Sequence, residues 1–143
     1  MTETSEIDNA GFVINNDINT KVDVNVDIDG YKKFNTASKT SKGGTSIYAK
    51  LNLNCFERTD LKIMNEEFES TWIEIKNKNS KNIITGSIYR HPHYNFNEFL
   101  KYLEKCLSRL AKEDKEIYIC GDFNFDLLKN ETDQHTQTFF KIF

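Results

Sequence analysis

Residues 116–124 read EIYICGDFN, and this stretch decides the fold. The apolar run at 117–120 is short and lies between charged residues and Gly121, which predicts a buried central strand. Asp122 directly follows that strand, where a sheet holds a carboxylate at its rim on rigid backbone. Asn124 lies two residues further on, so extended backbone would place it on the same side as Asp122. Such a pair can bind a hard cation and orient a phosphate oxygen, although most Asp-x-Asn pairs are turns.

A second strand, predicted at residues 82–89, ends in a similar way. It is rich in Ile and runs into Tyr-Arg-His-Pro at residues 89–92. Tyr89 and Arg90 could hydrogen-bond a phosphate, and Arg90 could do so in bidentate fashion. The alternative, which the residues alone favour, is that Tyr89 is an aromatic at the edge of the core and Arg90 a solvated strand end. If the site is real, Tyr89 lies with Asp122 and its neighbours at one end of the sheet.

The remaining elements follow from periodicity. Alternation of apolar and polar residues predicts three further strands, at residues 22–28, 45–53 and 69–76. The last of these is expected to pair antiparallel with the 82–89 strand across a polar turn at 77–81. Apolar residues at three- and four-residue spacing predict a helix over 95–112, with Asn95 or Asn97 as its N-cap. A second helix is expected within 133–143, and the stretch before residue 22 is interpreted as loop or disorder.

Composition limits the classes of protein that fit. The chain has 143 residues, a length that suits one globular domain. Its net charge of −3 counts mildly against electrostatic binding of nucleic acid. Cys55, Cys106 and Cys120 are widely spaced and odd in number, so we expect reduced thiols and no structural zinc site. There is no signal-peptide pattern and no apolar run of membrane-spanning length. We therefore expect a cytoplasmic or nuclear protein that is not secreted and has no membrane partner.

Four motifs in order resemble the apurinic-type endonuclease domain of non-LTR retrotransposons, a member of the endonuclease/exonuclease/phosphatase class. They lie at residues 42–50, 69–75, 88–92 and 121–128, and the resemblance covers roughly residues 30–128. It implies an α/β fold, a partial two-sheet α/β sandwich of the DNase I-like type. The domain organisation expected is an N-terminal segment at 1–29, poorly ordered or partly strand, followed by an incomplete endonuclease/exonuclease/phosphatase domain at 30–143.

The resemblance also implies a site. Asp122 and Asn124 would be the family's catalytic Asp-x-Asn, and Tyr89 its active-site tyrosine. Glu3, in a Thr-Glu-Thr run that resembles the family's Glu-Thr motif, would bind the metal together with Asp122. Asn124 and Tyr89 would orient the phosphate, with Arg90 as a further phosphate-binding candidate. The cofactor implied is Mg²⁺, and the implied partner is nucleic acid, in particular DNA.

The chain departs from the family at two places. The family's opening Asn motif and its closing Ser-Asp-His stretch are not found, and none of the three histidines has a Ser-Asp-His context. His91 and His93 are interpreted as exposed loop residues and His135 as a helix-surface residue. Two hypotheses remain: a metal-dependent phosphodiesterase derived from a mobile element, or a catalytically inactive remnant acting at most as a binding or structural module. Without the histidine-bearing stretch, the isolated chain is expected to have little or no nuclease activity.

Overall fold

The computed structural model describes residues 5–6, 12–15, 26–39, 43–126, 128 and 133–142. Within these ranges the chain forms two sheets and two helices. The strands are β1 (Ser5–Glu6), β2 (Phe12–Asn15), β3 (Tyr31–Thr36), β4 (Thr45–Lys50), β5 (Cys55–Glu57), β6 (Ile63–Met64), β7 (Phe68–Ile75), β8 (Ile83–Arg90) and β9 (Glu116–Asp122). The helices are α1 (Phe96–Leu110) and α2 (Gln134–Phe140). Neither of these helices has the length and apolar character needed to cross a bilayer.

The two sheets differ in strand direction. The first has the order β1-β2-β4-β3 and is antiparallel throughout. The second has the order β5-β7-β8-β9, with β6 paired to β7. Its other pairs are antiparallel, but β8 and β9 run parallel, so the chain crosses between them through α1, as a parallel connection requires. The prediction of an α/β fold, as part of a two-sheet sandwich, is confirmed.

The second sheet is covered on both faces. On one face the helices pack over a cluster that centres on Trp72, Ile88 and Phe99. On the other face Ile47 of the first sheet packs near Ile73 of β7. The side chains of β7 are accordingly buried along its whole length. The space between the two sheets therefore has an apolar middle, and its polar end holds the residues of the candidate site.

Most secondary-structure predictions are confirmed to within three residues, including the antiparallel pairing of β7 with β8. Asn95 is the N-cap of α1 and accepts from the backbone N–H of Asn97. The loop predicted before residue 22 is wrong where β1 and β2 form, because β2 gains a full backbone ladder by pairing with β4. The strand predicted at 22–28 is absent at 26–28, where Ile28 closes a turn by accepting from Tyr31; residues 22–25 lie outside the described residues.

The prediction that β9 is a buried central strand is wrong for the part of the chain that the structure describes. β9 ends the strand order of its sheet. Ile117 and Ile119 are half-buried against the helix-side cluster, and Tyr118 is 50% exposed. A run that is apolar on both faces predicts burial between layers. It does not reveal whether a neighbour pairs with the second edge.

An ion network fastens the end of the second sheet that lies away from the candidate site. The buried guanidinium of Arg58 contacts Asp60 at 2.8 Å, Glu74 at 2.9 Å and Glu113 at 2.7 Å. Lys115 lies 2.8 Å from carboxylate oxygens of both Glu74 and Glu113. The network thus joins the loop after β5, strand β7, the segment after α1 and the residue before β9.

We expect this network to make stability fall in acid. Hydrogen bonds from Arg58 and Lys115 lower the pKa of Glu113 from 4.5 to about 2. Arg58 also lowers the pKa of Asp60, and hydrogen bonds lower that of Glu74 against the opposing effect of burial. Because the folded values lie below the unfolded ones, the contribution is complete above about pH 4.5 and is lost as pH falls towards 2.

The measurement is urea unfolding between pH 6 and pH 2.5. The variant Glu113→Gln removes the carboxylate with the lowest pKa while keeping the shape of the side chain. Its stability should fall less steeply with acid than that of the parent chain. Identical slopes for the two proteins would contradict the assignment of acid sensitivity to this network.

Candidate active site at the polar end of the second sheet

Three polar residues lie in one row across the second sheet. Tyr89 of β8 is in register with Glu69 of β7 on one side and with Asp122 of β9 on the other. Residues in register on neighbouring strands present their side chains to the same face, with strands about 4.8 Å apart. The structure thus brings Tyr89 and Asp122 together at one end of the sheet, as expected from the sequence. Their chemical roles stay predictions.

Asp122 and Asn124 form a turn, so the expectation of extended backbone between them is wrong. Asn124 has a φ of +50°, a left-handed conformation that Asn tolerates better than most residues. Its backbone N–H donates to Asp122 Oδ1 at 2.9 Å, and its side-chain Nδ2 donates to the carbonyl oxygen of Arg90 at 2.5 Å. The carboxylate of Asp122 is exposed at the rim of the sheet. The turn therefore fixes one oxygen of an accessible carboxylate.

Arg90 is buried, so the alternative of a solvated strand end is wrong. Its Nε donates to the carbonyl oxygen of Phe123 at 2.7 Å, its Nη2 to that of Asn124 at 2.9 Å and its Nη1 to that of Tyr94 at 3.1 Å. Burial lowers the pKa of Arg90, while the charge of Asp122 acts in the opposite direction. The guanidinium thereby ties the end of β8 to the end of β9. Phosphate binding by Arg90 stays a prediction, since much of its donor capacity is committed to backbone carbonyls.

His91 is also buried, so its interpretation as an exposed loop residue is wrong. The residue is 7% exposed, and Nε2 of its imidazole lies 3.0 Å from Glu69 Oε2. Glu69 is fully buried, and its Oε1 accepts from the N–H of Gly44 at 2.7 Å. The ring of His91 meets the ring of Tyr89 edge to face, with centroids 4.9 Å apart. Sequence reasoning missed Glu69, although a charged residue inside a strand predicted to be half-buried signals a buried partner.

The other two histidines are exposed, as expected. His135 lies on α2 and stacks on Phe96, with ring centroids 4.5 Å apart. These two rings line an open cavity of about 480 Å³ that also reaches Arg90 and Asn124. The cavity therefore opens beside the Asp122–Asn124 turn.

The donors for a metal ion are incomplete in the part of the chain that is described. Glu3 lies outside the described residues. Among the residues that are described, no three His, Cys, Asp or Glu side chains are grouped to hold a metal ion. Mg²⁺ commonly keeps several waters and binds through one or two carboxylates together with substrate phosphates. Asp122 fits the role of one such carboxylate.

Comparison with known proteins adds the fold. No protein-family model and no curated protein matches the sequence. The endonuclease domain of TRAS1, a telomere-specific non-LTR retrotransposon, matches with a TM-score of 0.63 and 16% identity, over 80% of this chain and 52% of that chain. The human Nocturnin catalytic domain matches with a TM-score of 0.49 and 14% identity, over 76% of this chain and 46% of that chain.

An endonuclease/exonuclease/phosphatase family protein from Bacteroides thetaiotaomicron matches with a TM-score of 0.49 and 14% identity, over 78% of this chain and 46% of that chain. The chain therefore spans about half the length of the solved structures that it matches. At such identity the likeness shows the fold alone. That fold is the one of the TRAS1 endonuclease domain, over 80% of this chain.

Proposed function

We propose that this chain is a metal-dependent phosphodiesterase domain of the endonuclease type, derived from a retrotransposon. Its proposed substrate is nucleic acid, in particular DNA. The observation that carries the proposal is the adjacency of Tyr89 and Asp122 at the rim of the second sheet, with Asp122 held by the turn to Asn124. A fold alone does not specify a function. The site supports this one because its groups suit the charge that develops on a phosphate under attack.

The proposed reaction is in-line attack of water on a phosphodiester. Asp122, with Glu3 as the proposed second ligand, would hold Mg²⁺, which when bound supplies positive charge at the phosphate and lowers the pKa of a water. The backbone N–H of Asn124 keeps the Asp122 carboxylate in one orientation. The Tyr89 hydroxyl is proposed to donate to a phosphate oxygen beside that carboxylate. Arg90 holds the ends of β8 and β9 together, which keeps these groups at a fixed separation.

The cavity beside the turn supports a nucleic-acid substrate over a small phosphate ester. Its lining includes the aromatic rings of Tyr94 and His135 and the amides of Asn95 and Asn97. Aromatic rings stack on bases, and amides hydrogen-bond base edges and sugars. A nucleotide next to the scissile phosphate is therefore proposed to occupy it.

The test is nicking of plasmid and abasic-site DNA by the purified protein, with Mg²⁺ and with EDTA. The proposal requires Mg²⁺-dependent nicking, at a low rate because the family's histidine-bearing stretch is not found, and Asp122→Ala should lower that rate by a further factor of about a hundred to a thousand, as loss of a positioned charge-stabilising group commonly does. Glu104→Ala is the matched control, because it removes a carboxylate from the exposed surface of α1. Nicking that survives in Asp122→Ala would contradict the assignment.

A second candidate function is a catalytically inactive module that binds nucleic acid or serves a structural role. It is supported by the lack, among the described residues, of three grouped metal-ligating side chains. It is also supported by the hydrogen bonds that Arg90 and Asn124 make to each other. Folded protein that shows no nicking, with or without Asp122, would favour this candidate and refute the first.

A further inference from the structure

We infer that Glu69 is a positioning residue, which sets the ring of Tyr89 by holding His91 in place. The inference rests on the proposed function for its effect on turnover, because Tyr89 is there assigned to the phosphate. Glu69 and His91 lie within two of the motifs that carry the resemblance, but neither was given a chemical role there. The geometric part, in which the Glu69–His91 pair fixes Tyr89, stands on contacts between described residues.

The Glu69–His91 pair is closed to substrate. Glu69 is fully buried and His91 is 7% exposed. Tyr89 is half-buried and lies in the same row of the sheet as Glu69. A group that acts on a phosphate must reach it, so any influence of Glu69 passes through the side chains around it.

The pair is held in place by contacts from several directions. Glu69 Oε1 accepts from the N–H of Gly44, and Oε2 lies 3.0 Å from His91 Nε2. A Cβ atom added to Gly43 would lie 2.5 Å from Glu69 Oε1 and 3.0 Å from His91 Cε1. The backbone N–H of His91 also donates to the carbonyl oxygen of Glu67. The carboxylate and the imidazole therefore have one tightly enclosed arrangement.

The pair also contacts Tyr89, through the ring of His91. The ring of His91 contacts those of Tyr89 and Tyr94, at centroid distances of 4.9 Å and 6.0 Å, and meets both at steep angles. An imidazole with a fixed orientation therefore limits the positions that the neighbouring Tyr89 ring can adopt. If the Glu69 carboxylate is removed, the His91 imidazole loses that hydrogen-bond partner and becomes free to rotate.

Substitutions at Glu69 separate positioning from a direct charge effect. In Glu69→Gln the amide oxygen can accept from Gly44, and the amide nitrogen can donate to His91 Nε2 once the imidazole proton moves to Nδ1. Turnover of DNA by Glu69→Gln should therefore stay within about three-fold of the parent, whereas Glu69→Ala should lower kcat by about ten- to a hundred-fold at unchanged KM. Equal loss in both variants would mean that the charge itself acts on the reaction, which overturns the inference.

A second readout does not depend on turnover. Protein labelled with 3-fluorotyrosine gives a ¹⁹F resonance for Tyr89, which is assigned by its absence in Tyr89→Phe. We expect this resonance to shift or broaden in Glu69→Ala and in His91→Ala, and to stay unchanged in Glu69→Gln. Thr71→Val is the control for lost buried hydrogen bonds, because Thr71 lies two residues along the same strand and bonds to Thr45 at 2.7 Å.

The outcomes are distinguishable. A Tyr89 resonance that is unchanged in His91→Ala overturns the inference even if Glu69→Ala does not fold. A shifted resonance with unaltered kcat in an active protein overturns the functional part. Protein that never cuts DNA refutes the proposed function, while the ¹⁹F spectra still decide whether Glu69 positions the ring.

Discussion

Arg58→Ala is expected to destabilise the protein by about 3–5 kcal/mol, the range typical of removing one partner from a buried ion network. The side chain of Arg58 is 9% exposed and is bonded to three carboxylates. Glu74, whose side chain is 4% exposed, would keep Lys115 as its only cationic partner among the described residues. A loss of this size is a large part of the roughly 5–15 kcal/mol that stabilises an ordinary domain.

The measurement is urea unfolding at pH 7, where all three carboxylates are charged. Lys101→Ala is the control, because Lys101 pairs with Glu98 on the exposed surface of α1 and screened surface pairs contribute little. Its unfolding midpoint should match that of the parent. A loss of less than about 1 kcal/mol in the free energy of unfolding of Arg58→Ala would mean that water can replace the guanidinium as partner of the three carboxylates. That outcome would contradict the burial of the network.

The elements that the sequence predicted well are those whose pattern is local. Alternation around a polar turn specified β7 and β8, because both strands have one face towards a core and are joined by a short hairpin. The helical spacing of its apolar residues specified α1, and Asn95 marked its start. β2 has only four residues, Phe-Val-Ile-Asn, and a run that short fits a loop as well as a strand. Its pairing with β4, more than thirty residues away, decides the matter.

The candidate site was predictable only in part for the same reason. Tyr89 and Asp122 lie at the carboxyl ends of β8 and β9. The carboxyl ends of parallel strands meet at the same edge of a sheet, so the adjacency of these two residues could be inferred. The burial of His91 could not, because it depends on Glu69, which is 22 positions earlier in the chain. A His-Pro pair after a strand resembles a loop in any single sequence. Charged residues in buried strands are the one local signal that such a partner exists.

The last prediction concerns Gly121, which precedes Asp122 at the end of β9. Gly121→Ala is expected to lower the free energy of unfolding by about 2–6 kcal/mol, from backbone strain of about 1–3 and overpacking of about 1–3 kcal/mol. Gly121 has a φ of +157°, and a Cβ added there would lie 1.9 Å from the carbonyl oxygen of Ile88. Ile88 is fully buried in β8, which pairs on both sides, so its backbone has no room to withdraw.

Gly30→Ala separates the two contributions. Gly30 also has a positive φ, of +83°, but a Cβ there would meet no described atom within 4 Å. The free energy of unfolding of Gly30→Ala should fall by the backbone strain alone, about 1–3 kcal/mol. An equal decrease in the two variants would refute the steric argument. Because Asp122 follows Gly121 directly, the clash must be relieved by moving the end of β9 away from β8. Amide hydrogen exchange should therefore accelerate at the end of β9 in Gly121→Ala, and the separation of Asp122 from Tyr89 should change with it.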